Sequence, residues 1–192
     1  STRRHPIDFI ESCYELCGRY QSMRFGLETR YDIPALTSVN ALRAYAERNG
    51  GIRGARKTLQ ALSYVADESA STREAKLVLV LGLPTIKGGF GLGIPCLNFE
   101  IETSPAARAI TGKHMFRCDL YYPSKGVAIE YESDEFHDGE DKRGHDSRRT
   151  AALMSMNRTV FCVTNEELDS YIATDVIGQS VRRQLGKRQR TK

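Results

Sequence analysis

The spacing of apolar residues changes part-way along the chain. Up to about residue 66 they recur every three or four positions: Ile7, Ile10, Tyr14 and Cys17 follow Pro6, and Ile52, Ala55, Leu59 and Leu62 form a second stripe. Such spacing puts each set on one face of a helix. It predicts a helix opened by Pro6 and two more over 38–48 and 52–65, parted by Asn49-Gly50-Gly51. These apolar positions are core and carry no chemistry. Ser71, with Glu74 three residues on, forms a capping box that opens a helix running through Leu81. Gly82, Pro84, Gly88 and Gly89 then break the chain.

Beyond the break the period falls to two. Leu97 to Ile101, Phe116 to Tyr121 and Val127 to Glu132 alternate as strands do, and Thr159 to Val163 reads as a buried strand. Strands are predicted over 95–102, 115–121, 126–132 and 158–163. A polar helix is expected over 141–156, a second capping box at Thr164 and Glu167, and a last helix from Thr174 to Leu185. The order helix, three strands, helix, strand, helix defines an α/β domain over 67–192 with a central mixed sheet, preceded by a helical segment over 1–66.

Composition narrows the class. The chain has 192 residues, 40% hydrophobic and 27% charged, enough apolar material for a packed core. No apolar stretch approaches the roughly 20 residues that cross a bilayer, so no membrane role is expected. Five scattered cysteines suit a reducing cytoplasm better than a disulfide framework. Cys13 and Cys17 lack the further ligands a structural zinc site wants. The chain opens on Ser1 rather than Met, as expected of a segment with more chain upstream. The net charge of +4 is uneven: six basic residues lie between Arg182 and Lys192, and without them the remainder carries −2. That tail is a candidate phosphate contact.

The candidate chemistry lies in Cys118-Asp119-Leu120 and Ala128-Ile129-Glu130-Tyr131-Glu132. On a strand, Glu130 and Glu132 share a face, and hairpin pairing of the two runs lets Asp119 join them. Clustered carboxylates repel one another unless a cation holds them together, and hard oxygen ligands suit magnesium.

At this point the segment 69–168 resembles the PD-(D/E)XK nuclease superfamily, and within it bacterial proteins related to very-short-patch-repair endonucleases. The likeness runs through Ser71 to Glu74, Asp119 to Pro123, Ile129 to His137, Asp146 to Arg149, and Val160 to Leu168. It implies a restriction-endonuclease-like core and a DNA endonuclease dependent on magnesium or manganese. By the resemblance, Asp119 and Glu130 are metal ligands, Glu74 joins them directly or through water, and His137 contacts the scissile phosphate or relays a proton. Arg117, Lys142, Arg143 and Arg149 are expected to hold the DNA backbone, and the reading leaves room for a homodimer.

Glu132 departs from the pattern, because the superfamily usually has lysine there. The glutamate adds a ligand or a general base, or else marks a weakened nuclease fold that binds nucleic acid or a partner protein.

Overall fold

The structure is a computed structural model and describes residues 6–23, 28–132 and 140–188, with side chains of the helix that starts at 140 described from Ser147 onward. The chain divides into two compact units, Ser1–Leu97 and Asn98–Lys192. This division falls later than the expected boundary at 66/67, so the Ser71-capped helix groups with the N-terminal helices.

The first unit contains α1 (Pro6–Cys17), the two-residue strands β1 (Tyr20–Gln21) and β2 (Arg30–Tyr31), α2 (Val39–Arg48), α3 (Ala55–Leu62) and α4 (Thr72–Gly82). β1 and β2 pair antiparallel. The apolar stripe of α1 is buried as its spacing predicts, through Ile10, Cys13, Tyr14 and Cys17. The Tyr14 hydroxyl donates to the Tyr64 carbonyl at 2.9 Å, which satisfies the one polar atom that this core tyrosine brings in. The stripe expected over 52–65 is shorter than its spacing implied. Gly54 has φ +106 and stands at the N-cap of α3, a left-handed conformation that ends helical continuity. The helix therefore starts at Ala55, and Ile52 is left 57% exposed in the connection.

The second unit is built on a four-stranded sheet in the order β3-β4-β5-β6: β3 (Cys96–Glu102, whose first two residues fall in the first unit), β4 (Met115–Tyr122), β5 (Val127–Glu132) and β6 (Thr159–Thr164). β4 and β5 are antiparallel, joined by a tight turn, with Leu120 opposite Ile129 and Tyr122 opposite Val127. β5 and β6 are parallel, joined through α6 (Glu140–Ser155), the crossover that parallel pairing requires. The sheet is thus mixed, as expected.

Between β3 and β4 lies α5 (Pro105–Thr111), which the strand pattern did not reveal. Its signals are local: Ser104 caps it, Pro105 takes the first turn, and Gly112 closes it at φ +69. Ala107 on α5 and Ala152 on α6 are both fully buried in one cluster with Phe116, Cys118, Tyr121 and Ala128. Small residues there let the helices approach closely over the sheet.

The short α7 (Asn165–Asp169) carries the capping box expected at Thr164 and Glu167, with both reciprocal hydrogen bonds made. The closing helix, α8 (Tyr171–Gln184), starts three residues before Thr174 because Ser170 caps it.

β5 is the central strand that decides the site. Val127, Ala128, Ile129 and Glu130 are buried in succession. A strand flanked on both edges and covered on both faces reads as a continuous buried run, and Glu130 lies inside that run.

Candidate active site

Asp119 and Glu130 meet where β4 departs from regular alternation. Phe116 and Cys118 belong to the same buried cluster as Tyr121 and Ala128. A regular strand sends positions 118 and 121 to opposite faces, so the alternation breaks once between them, as it does at a bulge. Asp119 stands at that break. Its Oδ2 accepts from the Tyr131 amide at 2.8 Å, and the Glu130 carboxylate in turn accepts from the Asp119 amide. Two side chains thereby take hydrogen bonds that a regular ladder would give to carbonyls.

Glu130 is 8% exposed. Burial, followed by the nearby Asp119 charge, pushes its carboxyl up to about 7, against the opposing effects of Arg149, the Cys118 thiol and the Asp119 amide. Asp119 is also raised, by burial first, while the Tyr131 amide, Arg149 and Arg117 pull it down. The cation comes from α6: Arg149 Nη2 lies 2.9 Å from Glu130 Oε2 and 3.0 Å from Oε1. The same nitrogen donates to the Arg117 carbonyl, so one guanidinium ties α6 to both strands. The Cys118 thiol, which donates to Glu130, is raised to about 12 by burial and by that glutamate.

Asp119 and Glu130 are the residues here that could hold a divalent cation. Two carboxylates held together in a low-dielectric setting are costly when both are ionised, and one guanidinium offsets only part of that. Magnesium typically takes one or two protein carboxylates and keeps several waters; Asp119 and Glu130 would supply the carboxylates.

The other expected residues lie at the end of β5, in the first unit, beside Asp119 or outside the described residues. Glu132 is exposed at the end of β5, opposite Thr164 of β6. It has the same strand parity as Glu130 but lies past the covered part of the strand. Among the described residues no three His, Cys, Asp or Glu side chains gather as a metal-ligand cluster. Glu74 belongs to the first unit. Its amide donates to Ser71 Oγ at 3.1 Å and its carboxylate accepts from the Ala70 amide at 2.9 Å, the bonds of a helix start. Arg117 is exposed and near enough to lower Asp119. His137 lies outside the described residues, as do the side chains of Lys142 and Arg143.

Two participants were not read from the sequence in the role they take. Cys118 was treated as one of several free thiols, although its position next to Asp119 was a signal. Arg149, expected on the DNA backbone, pairs with Glu130 in the structure.

The chain is 32% identical over 127 residues, 65% of its length, to two uncharacterized proteins of Mycobacterium tuberculosis, one from strain CDC 1551 / Oshkosh and one from strain ATCC 25618 / H37Rv. The match spans 41% of the length of each of those proteins. No protein-family model matches the chain, and no solved structure matches it.

Proposed function

We propose that the second unit is a restriction-endonuclease-like domain that hydrolyses DNA phosphodiester bonds with magnesium or manganese. The observation that supports this reading is the buried pairing of Asp119 and Glu130 on adjoining strands. A protein gains little stability from two neighbouring buried carboxylates, so the pair calls for a use. When bound, the metal supplies positive charge opposite the phosphate and an acidified water.

The chain's own residues do the rest. Asp119 and Glu130 would hold the ion, and the Tyr131 and Asp119 amides would fix the direction of the two carboxylates. Arg149 would steady Glu130 from α6 and supply the positive charge that the superfamily usually takes from lysine at the position of Glu132. Glu132, exposed two residues beyond Glu130, would accept a proton. Arg117, exposed beside Asp119, would meet a phosphate oxygen.

The test is cleavage of single-stranded, double-stranded and mismatched DNA with magnesium or manganese, against a chelator control. Asp119→Ala or Glu130→Ala should lower the cleavage rate by several orders of magnitude, since the lost ligand removes the ion with it. Wild-type protein that binds these DNAs and cuts none of them would sink the enzyme reading in favour of a binding module.

A further inference from the structure

The first unit carries a cluster of charge that the nuclease reading does not use. From Val39 to Leu62, helices α2 and α3 and their connection hold five basic residues, Arg43, Arg48, Arg53, Arg56 and Lys57, against one acid, Glu47. Arg48, Arg53, Arg56 and Lys57 are exposed and Arg43 is half-buried. Among the described residues none of the five is joined to an acid in an ion pair. Exposed cations left unpaired on one helical hairpin repel one another, and Glu47 alone on these helices offsets them.

Three independent features point to an anion as the missing partner. First, Arg56 and Lys57 occupy the opening turn of α3, which has no acidic residue and no side-chain cap. Positive charge at a helix N-terminus opposes the helix dipole by about 0.3–1 kcal/mol per residue, and a bound anion turns that penalty into an attraction. Second, the connection is open. Cβ atoms built on Gly51 or Gly54 would meet nothing within 4 Å, and one on Gly50 would meet only the Glu47 carbonyl at 3.5 Å. A bulky partner can therefore approach this backbone closely. Third, Tyr45 is 59% exposed one helical turn from Arg48, where its hydroxyl can join the cations in donating to a phosphate oxygen.

We infer that the α2–α3 hairpin is a phosphate-backbone contact for duplex DNA, placed on a different unit from the proposed cleavage site. It deepens the nuclease reading by adding a binding surface that owes nothing to the metal. A membrane surface fits less well. Among the apolar residues of α3, Ala55, Ala61 and Leu62 are buried and Leu59 is half-buried, and Ile52 and Tyr45 alone do not make an insertion face.

The test uses the full chain, a fluorescent duplex of about 30 base pairs, and chelator throughout so that cleavage plays no part. Each phosphate contact contributes about 0.9 to the slope of log affinity against log salt. The triple variant Arg53→Gln, Arg56→Gln, Lys57→Gln alters only exposed side chains, and its circular dichroism and melting curve should match wild type. Its salt slope should shrink by about 2.7 and its affinity in 0.1 M salt should fall roughly a hundredfold.

A variant with the wild-type slope and affinity overturns the inference whatever the cleavage assay gives. So does wild-type protein that binds vesicles of anionic phospholipid but no duplex. Loss of the nuclease reading alone would show as wild-type binding, with the expected slope, and no cleavage.

Discussion

The two units treat charge in opposite ways. In the first, the α2–α3 hairpin leaves its cations in water, where each costs little and keeps its field for a partner. In the second, Asp119 and Glu130 are drawn into the sheet, where a lone carboxylate is expensive and the surroundings must answer for it. They do so with two backbone amides, a thiol and the Arg149 guanidinium. Exposed charge thus tells of a partner through its number and sign, and buried charge tells of chemistry through its specific neighbours. The consequences for measurement differ accordingly. The hairpin should respond to salt and hardly to pH, and the strand pair should respond to pH and hardly to salt.

The sharpest way to test this contrast is stability against pH in chelator. Glu130 is raised in the folded state from 4.5 to about 7. Its stabilising contribution is therefore complete below the ordinary glutamate value and is lost as pH rises through about 7, a difference on the order of 3 kcal/mol. Glu130→Gln, which resembles the protonated form, should flatten that slope between pH 5 and 8 and be the more stable protein at pH 8. Denaturant melts across that range check it, and parallel pH profiles for wild type and variant would break the contrast. Under the proposed nuclease reading, magnesium would bind the carboxylate form, so magnesium affinity should climb over the same interval.

Arg149→Met should follow with a smaller effect. At pH 8 it leaves Glu130 ionised and without its cation, costing about 2 kcal/mol after allowing for the partial exposure of the arginine. At pH 5 Glu130 is protonated and the loss should be well under half of that. Equal losses at both pH values would mean that Arg149 acts by packing and by its bond to the Arg117 carbonyl, not by charge.

The smallest effect tests what the two regions share. Ser71→Ala at the start of α4 and Thr164→Ala at the start of α7 each remove a side-chain cap, and each should cost about 1 kcal/mol by denaturant melts. Similar values in both units would show that local helix rules apply alike in them and that the contrast lies in charge. A negligible loss at one cap would locate a region where tertiary packing overrides the local rule.

Much of the fold could be read along the chain. Strands expected over 95–102, 115–121, 126–132 and 158–163 are found at Cys96–Glu102, Met115–Tyr122, Val127–Glu132 and Thr159–Thr164. Thr164 and Glu167 open α7 as a full capping box, whereas Ser71 caps α4 through the Glu74 amide and the Glu74 carboxylate takes the Ala70 amide one residue before the cap. The misses have local causes. α5 is seven residues long, too short to show a helical period, and Gly54 shortens α3 where the apolar stripe ran on.

What the sequence determined by itself is what depends on neighbours within a turn or a strand: the elements, their caps, and the placing of Asp119 and Glu130 on consecutive strands. The tertiary structure decided everything that needs contact across elements. It broke the alternation of β4 at Asp119, buried Glu130 while leaving Glu132 exposed on the same face, and brought Arg149 from α6 onto Glu130, 19 residues away. The reason is physical. Strand periodicity says which residues share a face, but how deeply each lies in that face depends on which strands and helices cover it. A carboxylate's charge state follows from that depth and not from its place in the chain.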